Sequence, residues 1–197
     1  MKVRFWLIPA ILTLAAGCMG GGQGHGNLEA HPHLQIVKNG QEAGPGPLTK
    51  ENVSIGGIHI GDSQETVRKI WGEPTATQEG GGGTPFVQWY YEQHHAYIFF
   101  YRTSGTGPVG GVAQISVNSP SSLKTDKNIG IGDSLSAILE AYDHVLSRDV
   151  HGDIINVWIQ GSKEEEGFFV PALRFVLKND RITNFLLETN LVDPEIL

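Results

Sequence analysis

The side chains able to do chemistry are few and scattered along the 197 residues. His25, His31 and His33 fall close together, and His31-Pro32-His33 sets two imidazoles either side of a proline. Neutral imidazoles bind transition metals. No carboxylate or thiolate stands beside them at a ligand spacing, so a solvated polar stretch is expected and no metal site is assigned. His94-His95 sits between two strand-like runs and reads as a hairpin tip. Glu164-Glu165-Glu166 could attract a cation, but a solvated loop is the commoner fate of such a run. Gly80 to Gly83 is followed by Thr84, with no lysine to reach a phosphate, which excludes a P-loop. Neither Gly-x-Ser-x-Gly nor His-Glu-x-x-His occurs. No catalytic residue and no cofactor are assigned, and a non-enzymatic protein is expected. One thiol, Cys18, is the only cysteine of the chain, so no internal disulfide can form.

What precedes Cys18 gives that thiol a role. Met1-Lys2-Val3-Arg4 carries two cations, then Phe5 to Ala16 runs apolar for about a dozen residues, long enough for a signal-peptide core and short of a bilayer span. The run ends Leu14-Ala15-Ala16-Gly17-Cys18, which resembles the bacterial lipobox, with Ala15 where that motif most often has leucine. The resemblance implies a signal peptide over 1–17, cleavage after Gly17, and a diacylglycerol on Cys18. One acyl chain anchors marginally and two anchor stably. The expected location is therefore extracytoplasmic, on the outer leaflet of the cytoplasmic membrane or on the outer membrane, with the membrane itself as a partner through Cys18. The chain holds 14 Lys and Arg against 21 Asp and Glu, and no basic block follows the signal, so nucleic acid is not an expected partner.

Residues 18–51 are rich in Gly, Pro and His, a composition that buries too little apolar surface to offset chain entropy, and read as a tether. Beyond it, Ile58-His59-Ile60-Gly61-Asp62-Ser63 matches Ile129-Gly130-Ile131-Gly132-Asp133-Ser134 about seventy residues later, an interval that suggests domain duplication. In each copy the isoleucines alternate as in a short strand, glycine permits a sharp exit, and a helical pattern follows. Ser63 and Ser134 are candidate helix N-caps, with Asp62 and Asp133 as the alternatives. Val67, Ile70 and Trp71 recur at helical spacing, as do Leu135, Ile138, Leu139 and Tyr142. Strand-like runs come next: 86–92, 96–102 and 111–117, then 154–160, 172–178 and 182–189. Asn179-Asp180 suits a two-residue hairpin turn. The expected fold is α+β, as two tandem repeats over 52–122 and 123–197. Each is one helix packed on a three-stranded or slightly larger antiparallel meander.

Gly61-Asp62-Ser63-Gln64-Glu65-Thr66-Val67, then Trp71-Gly72-Glu73-Pro74, then Trp89-Tyr90-Tyr91 resembles the pattern of BamE-like small outer-membrane lipoproteins. The tandem arrangement is similar to the β-lactamase-inhibitor-protein fold, and the resemblance spans about Ile55 to Thr189. The second copy lacks Gly-x-Pro, the inhibitor proteins carry disulfides, and BamE-like proteins usually have one module. The resemblance therefore speaks to fold rather than to activity.

Aromatic residues crowd 86–101, and alternation sends them to both faces of a sheet. A helix covers one face. The other would carry Gln88, Tyr90, Tyr97, Phe99 and Tyr101, as a protein-binding surface or as a face packed on the second repeat. The expected function is a lipid-anchored binding or scaffolding protein of the cell envelope with an envelope protein as partner. The alternatives are an inhibitor of a secreted hydrolase and a small-ligand or metal sensor.

Overall fold

The computed structural model describes residues 45–80, 85–102, 107–142, 147–165 and 168–189. The signal segment, Gly17, Cys18, the tether as far as residue 44 with its three histidines, Gly81 to Gly83, and Glu166 lie outside the described residues.

Runs rich in aromatic and β-branched residues build most of one sheet. Its strands are β1 (Ala76–Gly80), β2 (Phe86–Tyr91), β3 (Ala96–Arg102), β4 (Val109–Asn118), β5 (Ser147–His151), β6 (Ile154–Ile159), β9 (Ala172–Lys178) and β10 (Arg181–Glu188). They run antiparallel in the order β1-β2-β3-β4-β10-β9-β6-β5. A small hairpin, β7 (Lys163–Glu165) with β8 (Phe168–Val170), stands apart from it. Asn179 and Asp180 join β9 to β10 with positive φ of 51° and 59°, the backbone of a tight primed hairpin turn.

Two short helices, α1 (Gln64–Trp71) and α2 (Leu135–Ala141), cover one face of this sheet. Trp71 meets Tyr91 edge-on at 5.2 Å, Arg68 lies 4.4 Å over Trp89, and Tyr142, just after α2, meets Phe175 at 6.0 Å. Register lines up the covered side chains in rows. One row runs Tyr91, Ala96, Val117, Phe185, Phe175 and Val157, and all six are buried. A second runs Trp89, Ile98, Ile115, Leu187, Leu173 and Ile159, likewise buried.

The two Gly-Asp-Ser segments dock in the same way. The Gly61 amide donates to the Val112 carbonyl and the Val112 amide returns to Asp62; Gly132 and Asp133 make the same reciprocal pair with Ile182. Both glycines have positive φ, 92° and 86°, a region open to Gly without steric cost. The side chains divide the labour. Ser63 and Ser134 accept from the amides of Thr66 and Ala137 and so cap the helices, whereas Asp62 and Asp133 turn back to the amides of His59 and Gly130. That close docking sets a local test. A Cβ on Gly111 would collide with the Gly61 backbone, so Gly111→Ala should cost about 1–3 kcal/mol by overpacking. Denaturant melts of the two proteins check it, and an unchanged midpoint would show that the loop can retreat.

The expectation of an α+β chain with two tandem helix-on-meander repeats is corrected. The molecule is largely β: one continuous sheet with two short helices among the described residues. Its halves share their backbone bonding. β4 pairs with β10 at the centre of the sheet, Ile55 bridges Thr125, and the Gly56 amide donates to Lys124. Part of the segment 45–51 packs on the sheet-bearing residues. Leu48 is buried and bridged to Gly161, flanked by bonds from the Gly46 amide to Gly161 and from the Ser162 amide to Leu48. Ile70, expected in the helix core, is 47% exposed.

Candidate functional site

Strand alternation leaves one face of the sheet without a helix, and register says what stands on it. One cross-strand row reads Gln78, Gln88, Phe99, Gln114, Glu188 and Ala172; the next reads Ala76, Tyr90, Tyr97, Ser116, Leu186, Arg174 and Trp158. A third holds Asn118, Asn184, Val176 and Asn156. The floor is thus unusually rich in carboxamides, with aromatics to either side. Tyr90 and Tyr97 pair at 4.8 Å and Phe86 and Phe99 at 5.7 Å on one flank; on the other, the Arg174 guanidinium lies 4.9 Å from the Trp158 ring centroid.

A hollow of about 530 Å³ opens on this face, lined from Gln78 on β1 to Arg174 on β9. Those strands are the first and sixth of the sheet, roughly 24 Å apart if strands sit ~4.8 Å from one another. Side chains that far apart line one hollow only where the face curves inward, as a twisted and coiled sheet does.

At the Gln114 end the face closes over. Gln114 is 1% exposed, and among the described residues neither atom of its amide finds a hydrogen-bonding partner; the same holds for the Tyr101 hydroxyl and Arg174 Nε. Burial pushes Glu188 up to about 7, against the opposing pull of Arg174. Burial, aided by Glu188, pushes the Tyr101 phenol up to about 12. An unpaired buried polar group carries a desolvation cost that a partner group can relieve.

Gln88, Tyr90, Tyr97, Phe99 and Tyr101 all lie on this face. They are not equally available: Phe99 is 7% exposed, and the Tyr101 hydroxyl is buried. The face is not stacked on the other half of the chain, because that half extends the sheet sideways and supplies Arg174, Asn184 and Leu186 to the same hollow. Those three residues, with Gln114 and Glu188, escaped sequence reasoning. Alternation within 172–178 places Arg174 opposite Leu173 and Phe175, but nothing local places it near Tyr97.

The other candidates are structural. His94 ends the turn after β2 and packs 5.0 Å from Trp71, and burial lowers its pKa. Burial raises the pKa of Asp133, but the Lys124 ammonium at 2.7 Å and the Gly130 amide outweigh it and hold the carboxylate below its usual range. Glu164 and Glu165 lie in β7 rather than in a loop. Among the described residues no helix is long and apolar enough to cross a membrane, and no cluster of three His, Cys, Asp or Glu is placed to hold a metal.

No family model and no curated protein matches the chain. Solved structures offer partial likenesses. One is an extracellular protein containing a SCP domain from Bacillus anthracis, at 16% identity and a TM-score of 0.41, over 66% of this chain and 44% of that one. The chain thus spans under half the length of that protein. Another, from Streptococcus mutans, is described as a candidate beta-lactamase inhibitor protein, at 14% identity and a TM-score of 0.28, over 75% of this chain and 91% of that one. At such identities and TM-scores neither likeness carries an argument about this chain.

Proposed function

We propose that this chain is a lipid-anchored extracytoplasmic protein that binds an envelope protein on the helix-free face of its sheet. The observation that carries the reading is the face itself. Six adjacent strands enclose one hollow whose walls mix tyrosine and phenylalanine with carboxamides. Rigid aromatics beside adaptable hydrogen-bonding groups are the composition of protein-binding surfaces. The anchor on Cys18 would hold the face outside the cytoplasm.

Cross-linking and recovery of the anchored protein from its own cell tests the reading. Wild type should recover a defined envelope protein. Tyr90→Ala removes an aromatic from the face without touching the buried rows under the helices, and should reduce recovery by roughly tenfold or more, the scale of an interface hot spot. Recovery that survives Tyr90→Ala would move the contact elsewhere, and a recovered hydrolase with lost activity would favour the inhibitor reading. For the anchor, a lipid precursor should label wild type and leave Cys18→Ser unlabelled; label on Cys18→Ser would remove the anchor from the proposal.

A further inference from the structure

The walls of the hollow have a lopsided charge. Of its lining residues only Arg174 is ionised at neutral pH; the rest are carboxamides, hydroxyls and apolar groups. The protein as a whole carries a formal charge of −7, so an uncompensated cation at the base of its one-sided hollow is unexpected on composition. Trp158 supports the guanidinium through a cation–π contact. Among the described residues no carboxylate comes within 4 Å of Arg174, and its Nε is buried without a hydrogen-bonding partner. Glu188 is near enough to feel the cation, but burial pushes it up to about 7, so at neutral pH it is only partly ionised. Asn184, on the strand beside Arg174, already spends its amide N–H groups on Val117 and Asn118.

We propose that this hollow holds a carboxylate-binding subsite, in which Arg174 receives an acidic side chain of the partner protein. The inference rests on the reading of the helix-free face as the docking surface. Its argument is charge complementarity. A half-buried guanidinium without a counter-ion is left imperfectly solvated, and a carboxylate matches its fork of donors better than any neutral group. The groups facing the subsite also make it sensitive to pH. Glu188 on β10 is ionised above about 7 and neutral below it, with Arg174 on β9, Tyr101 on β3 and Gln114 on β4 as its neighbours. Protonating Glu188 removes a negative charge from beside the incoming carboxylate, so capture should strengthen as the pH falls from 8 to 6.

The test uses the full chain in detergent, labelled with ¹⁵N-arginine, and two probes of one shape: N-acetyl-glutamate amide and N-acetyl-glutamine amide. The Arg174 Nε–H resonance is assigned by its absence in Arg174→Lys. The acidic probe should move that resonance saturably, more at pH 6 than at pH 8, and the amide probe should leave it in place. Glu188→Gln should abolish the pH dependence and keep the binding. In cells, Arg174→Gln should lower partner recovery by about tenfold or more, with an unchanged near-ultraviolet dichroism spectrum showing an intact core. Equal response to both probes, or to neither, overturns the subsite while leaving the docking reading to stand on Tyr90→Ala. A carboxylate response with recovery indifferent to Arg174→Gln also overturns it, because the anion would then come from a free small acid and not from the docked protein.

Discussion

Glu188→Gln should stabilise the protein at pH 8 by about 3 kcal/mol and leave its stability at pH 4 nearly unchanged. Burial raises the Glu188 carboxyl from its ordinary 4.5 to about 7, with Arg174 pulling the other way. A carboxylic acid whose folded-state pKa lies above its unfolded value favours the neutral form in the fold. The stability it contributes is complete below the unfolded pKa and is lost as the pH rises through the folded one. The window is therefore about pH 4.5 to 7, and the loss is complete above it. A tenfold change in a protonation equilibrium is worth about 1.4 kcal/mol, which puts the whole effect near 3 kcal/mol. Glutamine keeps the shape and cannot ionise, so the variant should trace a flat profile where wild type declines. Urea melts at a series of pH values measure it. Parallel profiles for the two proteins would mean that Glu188 is solvated.

Phe185→Ala should cost about 3–5 kcal/mol, the range for emptying a large aromatic from a packed interior, and should lower a single unfolding transition. Phe185 is fully buried on β10, faces Val117 on β4, and stacks on Phe175 at 5.9 Å. It therefore stands where the first four strands of the sheet meet the last four. Trp71 and Trp89 report on one side of that junction and Trp158 on the other. If the sheet unfolds as a unit, fluorescence from single-tryptophan variants should move together, and the alanine should shift all of them. A variant in which Trp158 melts early while Trp89 holds its wild-type midpoint would show that the halves are energetically separate despite their shared sheet.

Much of the strand layout was legible in the chain. The runs 96–102 and 172–178 coincide with β3 and β9, because both are rich in the aromatic, β-branched and other apolar residues that favour strands. β1 was not legible. Ala76-Thr77-Gln78-Glu79-Gly80 has no apolar alternation and its first four residues are exposed; it is a strand because β2 offers it an edge to pair with. β5 stands at the opposite edge, is equally short, and escaped for the same reason. The cap was half legible: either Ser or Asp of the repeated motif could have served. Asp62 and Asp133 were turned away from the helices by amides of the preceding turn.

Local sequence alone determined where most strands run, which residues of a strand share a face, and where a helix can begin. These are properties of spacing and of side chains acting on their own backbone. Only the tertiary structure decided that the strands form one sheet, that the order reverses at β4 and β10, and that Arg174 comes to share a hollow with Tyr97 and Gln88. A period of two says which face a side chain takes but not which strand lies beside it. Pairing and register are settled by contacts between distant segments, such as the meeting of Val117 with Phe185. The candidate site is built from cross-strand neighbours of that kind, so it became readable only when the sheet closed around its core.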